Sequence, residues 1–180
     1  MKKALVLLAE GCEEIEAVTV IDVLRRAEFH VVAAGLRDGA LTASRGVKLV
    51  PDAALDAVNP LDFDAIVVPG GLGGVHKLSA DPRVLDAIRA MHQARRWVCA
   101  VCAGPLVLQE AGILAGRRVT CYPTAAEQLT AAKRVNERVV VDDHLITSQG
   151  PGTSMAFALE IVRRVDSAAT AQRVAAGLLA

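Results

Sequence analysis

Three apolar runs, at residues 4–9, 63–68 (broken only by Asp64) and 97–101, constrain this chain more than any other feature. Each ends on residues suited to a turn: Glu10-Gly11-Cys12, Pro69-Gly70-Gly71 and Cys102-Ala103-Gly104. A strand that is apolar on both faces must be covered on both sides, which is the situation of a parallel strand inside an α/β sheet. The segments between the runs supply the covering helices. Residues 13–27 switch to helical period, with Ala17, Ile21 and Leu24 on one face. Glu13 and Glu14 in the first turn and Arg25 and Arg26 in the last complement the helix dipole. Asp81 and Pro82 open a further helix as N-cap and first-turn proline, with Val84, Ile88 and Met91 as its buried stripe. Pro105 starts another, which Gly112 stops. Residues 155–165 align Phe157, Ile161 and Val165, and an alanine-rich helix follows.

The remaining segments read as shorter pieces. Residues 29–34 form a strand, and residues 41–42 and 47–50 flank Ser44-Arg45-Gly46 as a small hairpin. Gly73 and Gly74 extend the turn after the second apolar run. Residues 119–123 end another short strand, 124–133 read as a short helix, and 139–141 with 145–147 as a late hairpin. No linker or repeat interrupts the alternation. One domain over residues 1–180 is therefore expected, an α/β sandwich with a mostly parallel sheet.

Composition narrows the function. The chain is 53% hydrophobic but only 3% aromatic, which fits helices packed closely on a sheet. Twenty basic and twenty acidic side chains cancel, and no basic block or aromatic stripe points to nucleic acid. The start Met-Lys-Lys mimics a signal peptide, yet Glu10 ends the apolar run early and no cleavage site follows. No stretch approaches the roughly 18 apolar residues of a membrane span, so a cytoplasmic location is expected. Cysteines 12, 99, 102 and 121 are too few for a disulfide-held fold and lack the paired clusters of a zinc site. Neither metal nor cofactor is expected.

The chemistry concentrates on Cys102. A sharp strand-to-helix turn there holds the sulfur over a helix N-terminus, where free N–H groups favour thiolate. The alternative is an inert core thiol. Against that, the loops after the three apolar runs all fall at the carboxyl edge of the sheet, where open α/β folds build their sites. Gly70 and Gly71 allow a turn that presents N–H groups toward an oxyanion, together with the N–H groups after Cys102. The loop lacks the lysine–serine ending of a phosphate loop and the spacing of a dinucleotide fingerprint. Glu16 lies where a carboxyl could keep or shuttle a proton beside the thiol, although a solvated glutamate is the commoner case. Cys99 and Cys102 make a C-x-x-C pair, but Cys99 falls inside the strand, which argues against a thioredoxin-like couple. Cys121 ends a neighbouring strand and is a candidate resolving thiol, with an idle buried thiol as the alternative. His30 and His92 read as structural. His76 and His144 could reach the site only through tertiary arrangement.

Four pieces together resemble the ThiJ/PfpI family, within it the branch of the Parkinson-disease-associated deglycase. They are Glu-Glu-Ile-Glu at 13–16, Val-Pro-Gly-Gly at 68–71, Val-Cys-Ala-Gly-Pro at 101–105 and Gly-Pro-Gly-Thr-Ser at 150–154. The resemblance covers essentially the whole chain. It implies a flavodoxin-like three-layer sandwich that is usually a homodimer. It implies Cys102 as nucleophile and easily oxidised thiol, Glu16 as its protonated carboxyl partner, and Gly71 and Ala103 as donors of backbone N–H groups. Arg45 and Pro151 match positions near the pocket and the partner subunit. The activities implied are glyoxalase or deglycase chemistry on 2-oxoaldehydes and their adducts; the alternative is a redox sensor or holdase chaperone. Two positions depart from relatives. Tyr122 stands where several carry histidine, and its phenol is a poor base at neutral pH. Ala103 stands where peptidase-like members have histidine, which disfavours proteolysis.

Overall fold

The computed structural model describes residues 1–180. In chain order its elements begin with strand β1 (Lys3–Leu8), helix α1 (Glu14–Arg26), β2 (His30–Gly35), β3 (Leu41–Thr42), β4 (Lys48–Leu49) and β5 (Ala53–Ala54). The middle of the chain forms β6 (Ala65–Val68), α2 (Leu72–Ala80), α3 (Pro82–Gln93), β7 (Trp97–Val101) and α4 (Pro105–Glu110). Then come β8 (Arg118–Val119), β9 (Lys133–Arg134), β10 (Val139–Asp142), β11 (Leu145–Ser148), α5 (Ser154–Val165) and α6 (Ala168–Leu178).

Seven strands make the main sheet in the order β10-β11-β7-β6-β1-β2-β5. All neighbours are parallel except the β10–β11 hairpin. Helices α1, α5 and α6 pack together on one face, and α2, α3 and α4 on the other. This is the expected flavodoxin-like three-layer arrangement. It explains the apolar runs, because Leu5, Leu7, Ile66, Val67, Val98 and Cys99 retain no exposed surface. Full burial of a large aliphatic side chain contributes about 1.5–3 kcal/mol, so the sheet centre is the main source of stability. From β1 the chain moves outward to β2 and later returns to lay β6 on the other side of β1. That reversal opens a crevice above the carboxyl ends of β1 and β6, with β7 beside it.

Two expectations need correction. The glycines after β6 do not prolong a turn, because α2 begins at Leu72 and contains both Gly73 and Gly74. Their role is close approach: a Cβ at Gly74 would lie 2.8 Å from the Cys12 backbone, so only a bare residue lets α2 rest on the loop after β1. The segment expected as a helix over 124–133 holds a 3-10 helix, Pro123–Gln128, and then extended chain entering β9. Strand β8 pairs with β9 in a small separate sheet instead of joining the main one. No helix is long and apolar enough to cross a membrane.

Candidate active site

The turn after β7 places Cys102 at φ +61°, a left-handed conformation that a side chain rarely adopts. Such a residue costs on the order of 1–3 kcal/mol and persists only where its surroundings fix it. Here both sides of its backbone are tied. The Cys102 N–H donates to the Ser148 carbonyl at 3.0 Å, and the Tyr122 N–H donates to the Cys102 carbonyl at 2.9 Å. Gly104 closes the elbow, and a Cβ there would stand 2.5 Å from the Val68 carbonyl oxygen.

Glu16 arrives from α1. The Glu13 side chain caps that helix by accepting from the Glu16 N–H at 2.8 Å. The Glu16 side chain points inward with no exposed surface, and the Gly70 N–H donates to its Oε2 at 2.6 Å. Its Oε1 is buried without a conventional hydrogen-bond partner, and the Cys102 thiol lies within reach of the carboxyl. Gly70 makes this meeting possible. A Cβ at that position would lie 2.5 Å from Cys102 Cβ and 2.7 Å from Glu16 Oε2. Gly71, at φ +84°, caps the start of α2, and its N–H and that of Ala103 lie close enough to the Cys102 sulfur to favour its thiolate.

Burial pushes the Glu16 carboxyl up to about 7, against the opposing pull of the Gly70 N–H. Burial, and then the Glu16 charge, push the Cys102 thiol up to about 12, against the N–H groups of Gly71 and Ala103. The helix N-terminus expected to favour thiolate is outweighed here by desolvation and the neighbouring carboxylate. The two groups titrate as a pair. When Glu16 holds the proton its charge no longer opposes the thiolate, and both backbone N–H groups remain to stabilise it.

Above the sulfur is a pocket of about 490 Å³. Glu13, Ser44 and Arg45 line one side, and Tyr122, Thr124 and Pro151 line another. Arg45 is positioned by a residue that the sequence reading treated only as a dipole complement. Buried Glu14 accepts from Ser44 Oγ and from the Arg45 N–H, each at 2.8 Å, and so ties the β3–β4 hairpin to α1. No local pattern announces that link across 30 residues. A larger cavity, about 640 Å³, opens beside Leu36, Arg37, Lys77 and Arg83, but holds no nucleophile. The smaller pocket is the one that Cys102 lines.

The structure thus brings together Cys102, Glu16, Gly71 and Ala103, with Arg45, Tyr122 and Pro151 around them. It leaves out the other candidates. Cys99 is fully buried inside β7, and burial pushes its thiol up. Cys121 is absent from the pocket wall, and its thiol faces Arg134. His76 and His30 are exposed, and His92 and His144 pair with each other at 2.9 Å. No histidine lines the pocket.

A sequence profile described as the DJ-1/PfpI family matches residues 2–164. The chain belongs to the DJ-1/PfpI family. It is 42% identical to protein dj-1beta of Drosophila melanogaster over 181 residues, covering 99% of this chain and 97% of that protein. The crystal structure of Drosophila DJ-1beta superposes with a TM-score of 0.96, covering 99% of this chain and 97% of the other. The glutathione-independent glyoxalase DJR-1.2 of Caenorhabditis elegans is 39% identical over 168 residues, 92% of this chain and 89% of that protein. Protein DJ-1 homolog B of Arabidopsis thaliana is longer: at 43% identity it matches 89% of this chain, which spans 37% of its length.

Proposed function

We propose that this family member converts 2-oxoaldehydes to 2-hydroxy acids without glutathione, and acts by the same thiol chemistry on carbonyl adducts. The observation that carries this reading is a thiol on a strained elbow beside a fully buried carboxyl, at the start of a helix and next to a glycine turn. Cys102 is the nucleophile. Its thiolate attacks the aldehyde carbon, and the resulting alkoxide takes a proton to give a hemithioacetal. The N–H groups of Gly71 and Ala103 stabilise the oxyanion. Glu16, ionised at this stage, removes the proton from the former aldehyde carbon and returns it to the neighbouring carbonyl carbon through an enediol. A thioester results, and water hydrolyses it to the 2-hydroxy acid and free thiol. Electrons balance within the substrate, so the conversion is redox-neutral. The name of the C. elegans relative supports this class of reaction, and family membership supports a role in stress protection.

The test is methylglyoxal conversion to lactate in the absence of glutathione. Cys102→Ser should lower turnover at least about a thousandfold while circular dichroism is unchanged. Retained turnover would remove Cys102 from the reaction.

A second reading rests on the buried Glu16 carboxyl near Cys102, whose Oε1 has no hydrogen-bond partner. Protonated there, the carboxyl can donate to a sulfinate oxygen, which suits a peroxide sensor or chaperone that oxidises once instead of turning over. Addition of two oxygens to Cys102 under mild peroxide, with no aldehyde turnover, would select it. The chain is also proposed to work as a homodimer. Exposed Ile15 and Val18 on α1, with Val47 and Val50 around β4, lie on the segments that Glu14 ties together. Sedimentation at micromolar concentration should give twice the monomer mass.

A further inference from the structure

The pocket is several times the bulk of a three-carbon aldehyde, and its walls are unlike one another. Glu13, Ser44 and Arg45 make a polar side. Tyr122, Thr124 and Pro151 also line it, from the segments after β8 and β11, and Tyr122 is the only tyrosine in the chain. Its side chain is a large apolar group left 42% exposed in a protein that buries most of its others. The ring is not loose. Its backbone is hydrogen-bonded to Cys102, and its ring edge lies against Gly150, where a Cβ would come within 3.0 Å of Cδ2 and 3.5 Å of Cε2. Gly150 is extended, so the glycine is explained by this contact and not by backbone strain. A flat aromatic surface is thus fixed beside the nucleophile, with Pro151 next to it in the same wall.

We propose that Tyr122 is a specificity-determining residue that selects substrates carrying an aryl or similarly flat apolar substituent on the 2-oxoaldehyde. The substituent stacks on the Tyr122 ring and against Pro151, while the dicarbonyl end faces the thiol and the polar side. Offset stacking of this kind contributes beyond simple area burial, by an amount equivalent to about three- to tenfold in binding. The proposal rests on the thiol-dependent aldehyde reading for its choice of reacting group, but the recognition of the ring does not need the thiol.

The experiment compares phenylglyoxal with methylglyoxal in the full chain, using initial rates read before slower arginine modification. The kcat/KM ratio should favour the aryl substrate. It should fall about three- to tenfold in Tyr122→Ala, and Tyr122→Phe should keep it, because the ring and not the hydroxyl is required. Gly150→Ala, which tilts the ring without removing it, should lower the ratio by less. A ratio unchanged in Tyr122→Ala, or lost equally in Tyr122→Phe, overturns the proposal. A second arm uses Cys102→Ser and the unreactive acids mandelate and lactate, measured by calorimetry. Mandelate should bind more tightly, and the added Tyr122→Ala change should erase that difference. If neither aldehyde turns over but this difference is seen, the catalytic reading fails and aryl recognition stands. If both aldehydes turn over and Tyr122 affects neither arm, aryl recognition fails alone.

Discussion

A pair of titratable side chains sits at each end of the central sheet: buried Cys102 with buried Glu16 at the carboxyl end, buried His144 with half-buried His92 at the amino end. His144 sits where its carbonyl accepts from the Val98 N–H as β7 begins, and its Nε2 lies 2.9 Å from His92 Nδ1. The ring centroids are 4.6 Å apart, and His144 Nδ1 lies 3.1 Å from Asp143 Oδ2 without the geometry of a hydrogen bond. One nitrogen of each ring meets the other, and His144 Nδ1 stays buried without a hydrogen-bond partner, as Glu16 Oε1 does at the opposite end. At the other end the sulfur opens onto a pocket, the carboxyl keeps an unpartnered oxygen, and the elbow is held in a costly conformation. Burial of ionisable groups is common to both ends. A cavity of about 390 Å³ also opens beside His92, so space does not separate the ends; only the carboxyl end adds a cysteine sulfur with backbone N–H groups turned toward it.

The largest expected contrast is in rate. Glu16→Gln should lower methylglyoxal turnover about 10²- to 10⁴-fold, as loss of a general acid–base group does. His92→Gln, at the other end, should leave turnover within about twofold. An unimpaired Glu16→Gln enzyme would take the carboxyl out of the proton relay.

The two pairs also give stability opposite dependences on pH. Glu16 is raised from 4.5 to about 7 in the folded chain, so between those values the native state binds more protons than the unfolded one. Stability from this group is fully present below about 4.5 and lost as pH rises through 7, by on the order of 3 kcal/mol. Burial, then the charge of His144, lower His92 below 6.5, so its contribution declines as pH falls through 6.5. Urea midpoints between pH 4 and 8 should show the first slope in wild type and lose it in Glu16→Gln. An identical profile in that variant would mean that the carboxyl is not taken out of water by folding.

Smaller effects sharpen the same contrast. Gly70→Ala forces a Cβ against both Cys102 and Glu16 and should cost about 1–3 kcal/mol, together with turnover. His144→Ala should cost about 1–3 kcal/mol by leaving His92 without its partner, yet spare turnover. Arg26→Ala removes a half-exposed pair with Asp22 and should shift stability by less than about 0.5 kcal/mol. Denaturant curves run beside the lactate assay separate these cases, and a drop in turnover for His144→Ala would show that the two ends of the sheet are coupled.

Much of this architecture is legible in the amino-acid order. Apolar runs mark β1, β6 and β7, the proline and capping signals mark α3, and the small residues after Cys102 mark the elbow. The unread parts share a cause, which is contact between distant segments. Gly73 and Gly74 look like turn residues until the loop carrying Cys12 is seen pressed against α2. Glu14 reads as a solvated first-turn acid because its partners, Ser44 and Arg45, are some 30 positions away. The same is true of His92 and His144, which are 52 positions apart. The proton balance at Cys102 depends on desolvation, which no spacing records.

The nucleophile is fastened by main-chain atoms: its N–H to position 148 and its carbonyl to position 122. Those bonds are indifferent to which side chain the fastening residues carry. Position 122 can therefore exchange one side chain for another, reshaping the pocket wall, while the sulfur stays where the backbone holds it. On the roles proposed for Cys102 and Tyr122, reactivity and selectivity are separately adjustable, and a designer can alter the second without reopening the first.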